Sequence, residues 1–151
     1  MLKPESIRPR VIVYIRKTAP FSYRVREDLI QDLDLLVIEI SDPSLGKLLL
    51  INLYNEKALD ENLKTQKSGQ TTINRALLRL QLQLPFIIAG DFNLHHTWWN
   101  STIDTPSTNA DRLVEWLNKH DSRLVNKEKA TYHRANLVNK SIIDLAFSSR
   151  L

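Results

Sequence analysis

The sequence predicts an α/β fold of mixed, mostly antiparallel sheets flanked by helices, and three observations carry that expectation. Short runs rich in Val, Ile and Leu occur at Val11–Ile15, Leu33–Ile40, Lys47–Tyr54 and Leu84–Ile88, the lengths expected of strands. Two stretches instead carry apolar residues at helical spacing: Ile73, Ala76, Leu77, Leu80 and Leu84, and then Leu113, Trp116, Leu117 and His120. A turn-forming segment, Ser41-Asp42-Pro43-Ser44-Leu45-Gly46, joins the second and third runs closely enough for an antiparallel hairpin.

Taken in order, Val11–Ile15 reads as a strand ended by Arg16-Lys17, and residues 33 to 54 read as the hairpin, with Leu48-Leu49-Leu50-Ile51 buried on both faces and Tyr54 emerging at the sheet's edge. Residues 56 to 70 are polar and read as a loop, and a helix is predicted from about Thr71 to Leu82. The segment Thr97 to Asn109, rich in Ser, Thr, Asn and Pro, reads as a long surface loop. Thr108-x-x-Asp111 has the form of a capping box for a second helix near 109–119, and Arg123–Val125, Ala130–Arg134 and Ile142–Phe147 complete the set as short strands.

The 151 residues, 42% hydrophobic and 25% charged, suit a single domain (1–151) with its own core. There is no apolar run of the roughly 20 residues needed to cross a bilayer and no apolar signal-peptide core, so the expectation is a soluble intracellular protein. Absence of cysteine excludes disulfides, thiolate zinc and cysteine nucleophiles, which leaves oxygen or imidazole for any metal and favours magnesium or manganese. The net charge of +4 is uneven: residues 1–30 and 119–151 each hold seven Lys/Arg against three Asp/Glu, while 31–118 hold seven against eleven. Basic ends around an acidic middle suit a polyanion gripped around a metal-attracting centre, although solvated lysine faces give the same pattern.

The most specific feature is Ala89-Gly90-Asp91-Phe92-Asn93-Leu94, directly after the Leu84–Ile88 run. A stiff strand that ends in Asp91 and Asn93 holds both at the position where open α/β sheets place ligands. Asp91 can orient or deprotonate a water or enter the shell of a hard divalent cation, and Asn93 can donate to a phosphate oxygen without adding negative charge. Gly90 allows close backbone approach to a ligand. An Asx turn that closes the strand accounts for the same residue types without chemistry.

Gly-Asp-Phe-Asn after an apolar strand resembles the signature of the endonuclease/exonuclease/phosphatase superfamily, the DNase I-like group. Ile51-Asn52-Leu53-Tyr54 is similar to its Asn-x-Tyr segment, and Ser141-Ile142-Ile143-Asp144-Leu145-Ala146-Phe147 to its late Ser-x-Ile-Asp strand. Asn93-Leu94-His95-His96 with Trp98-Trp99, Ala110–Leu117 and Thr131-Tyr132-His133-Arg134 further resemble the endonuclease domain of non-LTR (LINE-type) retrotransposons. The resemblance runs from about Arg8 to the end.

It implies part of a four-layer α/β sandwich and metal-dependent hydrolysis of DNA phosphodiesters, with Mg2+ (or Mn2+) as cofactor and Asp91 as a metal-site residue. Asp91 positions water, Asn93 and Tyr54 hold the phosphate, and Asp144 corresponds to the aspartate that orients the family's catalytic histidine. Asn52, His95, His96 and His133 are the further substrate-contact candidates; Asn55-Glu56 stands where the family often has proline. For each residue a structural role competes: Tyr54 as a strand-end aromatic, Asp144 as a carboxylate inside an apolar strand that needs a partner, the adjacent histidines and the Trp98-Trp99 pair as packing groups, His133 as a structural hydrogen-bonding residue.

The family's early Gln-Glu segment and closing Ser-Asp-His are not found in the 151 residues, so the expectation is a truncated domain with little or no activity by itself. DNA is the implied partner, a reverse transcriptase in a longer polyprotein the implied context, and the nucleus the implied location for action on chromosomal DNA. A non-catalytic remnant with weak nucleic-acid affinity, and a small-molecule or lipid phosphoesterase of the same superfamily, are the competing expectations.

Overall fold

The structure, a computed structural model, describes residues 10–56, 71–107, 109–126, 131–133 and 140–149. Six strands form the main sheet: β1 Ser22–Val25, β2 Leu35–Asp42, β3 Gly46–Tyr54, β4 Phe86–Asp91, β5 Ser122–Leu124 and β8 Asp144–Ser149, in the order β1-β2-β3-β4-β8-β5. Two short strands, β6 Tyr132–His133 and β7 Lys140–Ser141, pair separately. Among the described residues only β3 and β4 run parallel and the remaining pairs are antiparallel, so the sheet is mixed and mostly antiparallel as expected.

The β2–β3 hairpin forms where the sequence places it. Its turn is fixed by the Asp42 carboxylate, which accepts from the Ser44 hydroxyl (2.6 Å) and from the Ser44 and Leu45 amides (2.8 and 2.9 Å), with Gly46 at φ 81°. The Ser44 hydroxyl, then those two amides, hold the Asp42 carboxyl below its usual range. The Leu48–Ile51 run differs from expectation: Leu49 and Ile51 are sealed, while Leu48 and Leu50, on the opposite face, are half-buried. Tyr54 ends β3, a central strand, and so lies at the edge formed by the strand ends.

Val11–Ile15 is not a strand. The segment crosses the second face of the sheet, with the Arg10 amide bonded to the Leu33 carbonyl (3.2 Å) and the Ile12 carbonyl accepting from Asn52 Nδ2 (3.2 Å), and among the described residues no ladder partner lies beside it. Strand β1 forms instead at Ser22–Val25, in register with Ser41–Ile38 of β2.

The predicted helix over 71–82 is two shorter pieces, α1 Thr72–Arg75 and a 3₁₀ turn at Leu77–Arg79, because Ala76 leaves helical geometry (φ −125°, ψ −66°). Its apolar stripe is nonetheless buried: Ile73, Ala76, Leu77 and Leu80 join the core. Helix α2, Ala110–Lys119, buries Leu113, Trp116 and Leu117 as the stripe requires. Its cap is Asn109, in left-handed geometry (φ 73°) and without a side-chain capping bond; Thr108 lies outside the described residues. His120 closes the helix, its ring 4.2 Å from that of Trp116.

These helical segments cover one face of the sheet, where Leu49, Ile51, Leu53, Ile88, Phe147, Phe92 and Trp99 form one continuous core with Leu77, Leu113 and Leu117. Among the described residues no helix is long and apolar enough to cross a membrane. The loop expected over 56–70 falls mainly on residues 57–70, which lie outside those described.

Candidate active site

Three central strands bring their ends to one edge of the sheet. Because β3 and β4 are parallel, both finish there, and antiparallel β8 begins there; Tyr54, Asp91 and Asp144 are consecutive cross-strand partners. Cross-strand partners share a face, so these three side chains leave the sheet on the side not covered by the helices. Asn52 lies on the same face, one pair further in, opposite Ala89.

The Asp91–Asn93 turn is locked by its surroundings. Asp91 Oδ1 accepts from the Asn93 amide (3.1 Å), closing an Asx turn, and Asn93 adopts φ 46°, a left-handed geometry that asparagine tolerates. Asn93 Nδ2 then donates to the Asn55 carbonyl (2.8 Å), and the Asn55 amide donates to the Asp91 carbonyl (2.8 Å). Asn55 is itself buried, donating from Nδ2 to the Phe92 carbonyl (2.8 Å) and accepting at Oδ1 from the Ile73 amide (3.1 Å). One side chain therefore joins the end of β3, the turn after β4 and the first turn of α1. Sequence reading singled out Asn55 only as a departure from proline; a polar residue directly after a buried strand was the available signal.

Gly90 has a different use from the one its position suggested. It sits at φ 153° beside Leu53 of β3, and a Cβ there would lie 1.9 Å from the Leu53 carbonyl oxygen. The close approach it allows is between two parallel strands, which sets the spacing of Tyr54 and Asp91.

Tyr54 is held at both backbone ends, its amide on the Asp34 carbonyl and its carbonyl on the Thr72 hydroxyl (both 2.8 Å). The Arg10 guanidinium lies over its ring, 4.7 Å from the centroid. Arg10 donates in a fork from Nε and Nη2 to Asp34 and from Nη1 to Glu56, while Arg75 bridges Asp34 and Asp32. Arg10 foremost, and then Arg75, hold the buried Asp34 carboxyl below its usual range against the opposing effect of burial. This charged cluster beside Tyr54 was not singled out from the sequence, since its members are scattered along the chain.

Asp144 departs from the expectation of a carboxylate inside an apolar strand: it is the first residue of β8 and is exposed, so burial does not demand a partner. Its backbone is anchored, the amide to Thr131 Oγ1 (3.0 Å) and the carbonyl to Asn126 Nδ2 (3.2 Å). Thr131 thereby ties the start of β6, where His133 pairs with Lys140, to the start of β8. The His133 side chain lies outside the described residues.

The histidines after the turn stand at the base of the loop that leads to α2. The His95 amide bonds the Ser107 hydroxyl and its carbonyl accepts from the Ser107 amide (both 2.8 Å), closing the base of the 95–107 loop. His96 accepts at Nδ1 from the Trp98 amide (3.0 Å), pairs through Nε2 with Asp111 (3.2 Å) and stacks on Trp99 (5.2 Å). Trp99 is fully buried and Trp98 packs on Phe147, so both tryptophans serve as anchors.

Among the described residues there is no group of three His, Asp or Glu side chains placed to hold a metal. The donors at the strand ends are hard oxygens, two carboxylates and an amide, the kind magnesium accepts while keeping several waters.

A mixed sheet of this order, helices on one face and polar strand ends at one edge, is a DNase I-like α/β fold. The endonuclease domain of TRAS1, a telomere-specific non-LTR retrotransposon, shares it with TM-score 0.57 and 19% identity over 85% of this chain and 56% of that one. The chain thus spans just over half the length of that domain. The sequence profile described as endonuclease-reverse transcriptase matches residues 48–150, and the chain belongs to that family. No curated protein matches.

Proposed function

We propose that the strand-end site is built for metal-dependent hydrolysis of DNA phosphodiesters. The observation that carries this reading is the alignment of Tyr54, Asp91 and Asp144 as cross-strand partners with Asn93 locked beside them. Asp91 orients and deprotonates the attacking water. Asn93 donates to a phosphate oxygen: its Nδ2 carries two hydrogens and the bond to Asn55 uses one. The Tyr54 hydroxyl donates to a second oxygen. Asp91 would help to hold a magnesium ion, which would supply charge neutralisation at the phosphate, and Asp144, its cross-strand partner, stands where the family's histidine-orienting aspartate does. The DNA substrate, a parent polyprotein with a reverse transcriptase, and nuclear action belong to this same reading.

A second reading, a non-catalytic remnant that keeps only weak DNA affinity, draws on the Asx turn, because the Asp91–Asn93 bond explains both residue types without chemistry. Duplex binding followed by anisotropy at constant ionic strength separates the two. Under the hydrolytic reading magnesium strengthens binding by the wild-type chain and not by Asp91→Ala; identical responses would leave the remnant reading standing. Nicking of supercoiled plasmid by the 151-residue chain is expected to stay near the Asp91→Ala background. Loss of one transition-state group costs about 10² to 10³ in rate, and the family's glutamate and histidine segments are not among these residues.

A further inference from the structure

Arg10 has two carboxylate partners of opposite character. Asp34 is buried, its side chain 3% exposed, and takes a two-pronged grip on Nε and Nη2. The Glu56 side chain is 46% exposed and takes only Nη1 of an arginine whose side chain is itself 40% exposed. The first contact is an anchor that fixes the plane of the guanidinium over the Tyr54 ring. The second is a surface ion pair, weak because water and salt compete for both partners. An arginine fixed on one side and loosely capped on the other is prepared to exchange that cap for another oxyanion, and phosphate is one that a charged guanidinium N–H recognises strongly.

The place of this exchange gives it meaning. Tyr54 neighbours Asp91 across β3 and β4, so a phosphate that replaced the Glu56 carboxylate would join the strand containing the scissile group. We propose that Arg10 is a substrate-binding residue that takes a non-bridging phosphate oxygen of DNA through Nη1, and that Glu56 is the internal carboxylate it releases to do so. The identity of the ligand as DNA rests on the function proposed above; the anion contact does not.

The test uses the whole chain and a short fluorescein-labelled DNA duplex in EDTA. Arg10→Gln is expected to weaken binding about tenfold and to reduce the salt slope by about one. Arg24→Gln removes the same charge from an exposed arginine on Glu39, at the level of Leu49, and is expected to weaken binding less than about threefold. Glu56→Gln is expected to tighten binding about threefold, beyond Glu115→Gln, the same change on the exposed surface of α2. An ion pair of purely structural value would not make Glu56→Gln tighten binding more than Glu115→Gln does, and that arm holds even if Arg10→Gln fails to fold.

Equal losses for Arg10→Gln and Arg24→Gln, or equal gains for Glu56→Gln and Glu115→Gln, overturn the proposal while leaving the DNA reading intact. If the wild-type chain binds no duplex but inorganic phosphate shifts the Arg10 Nε–H resonance, the DNA reading fails and the anion contact stands. If phosphate shifts nothing either, both fail.

Discussion

On the helix-covered face of the sheet, Leu49, Ile51, Leu53, Ile88 and Phe147 are sealed, whereas on the other face Tyr23, Val25, Ile87 and Val125 are 41–56% exposed. Both faces are built from the same residue types, so hydrophobic composition does not separate them; what separates them is the layer above. The second face is crossed at Asn52 by the segment around Ile12, and elsewhere it has a hollow of about 450 Å3 between Leu48, Ile87 and Val125. Stability is therefore concentrated on one side, and the candidate site projects from the other. A strand whose two faces both look apolar promises only that both can be packed.

The largest effect expected from testing this comparison is on the covered face, at Gly90. Gly90→Ala would force a Cβ to within 1.9 Å of the Leu53 carbonyl oxygen, separating the parallel strands, and should cost more than about 3 kcal/mol in urea denaturation. Phe147→Ala, deleting a fully buried ring that meets Phe92, Trp98 and Trp99, should cost about 3–5 kcal/mol by the same measurement. A small loss at either position would mean that the covered face is not the seat of stability.

Asp34→Asn should cost about 3 kcal/mol near neutral pH, since it leaves Arg10 and Arg75 without their shared buried carboxylate. The pH dependence has a definite sign. Asp34 is more acidic folded than unfolded, so its contribution is complete above the unfolded carboxyl value, about 3.9, and is lost as pH falls through the lower folded value. Acid melts of wild type and Asp34→Asn should converge below about pH 4; parallel curves would remove Asp34 as a stabilising charge. Smallest of all, Val125→Ala on the exposed face should stay within about 0.5 kcal/mol of wild type, and a larger loss would show that this face is covered in solution.

Much of this was legible where the signal is local. The hairpin follows from two apolar runs around a Pro/Gly turn, α2 from a clean stripe, and the strand-end pair from Gly90-Asp91-Phe92-Asn93. What the sequence hid depends on partners far along the chain. Val11–Ile15 has strand composition but no ladder beside it, while β1, with Ser22 and Arg24 among its four residues, becomes a strand because β2 offers an edge. The break at Ala76 is invisible in a stripe that stays buried on both sides of it. Asn55 and the Arg10–Asp34–Arg75 cluster acquire their importance only when β3, β4 and α1 meet.

The strand order also sets a sequence of events in time. β1, β2 and β3 follow one another in the chain and pair as neighbours, closing short loops at little entropic cost. The Asp91–Asp144 register instead joins residues separated by α2, β5, β6 and β7. Distant pairings form late when loop closure limits the rate. The edge where Tyr54, Asp91 and Asp144 meet should thus be among the last parts of the molecule to assemble. In pulse-labelled refolding, amides of the β2–β3 hairpin should gain protection before those of β8, so a chain emerging from the ribosome would hold a formed hairpin well before it held a site.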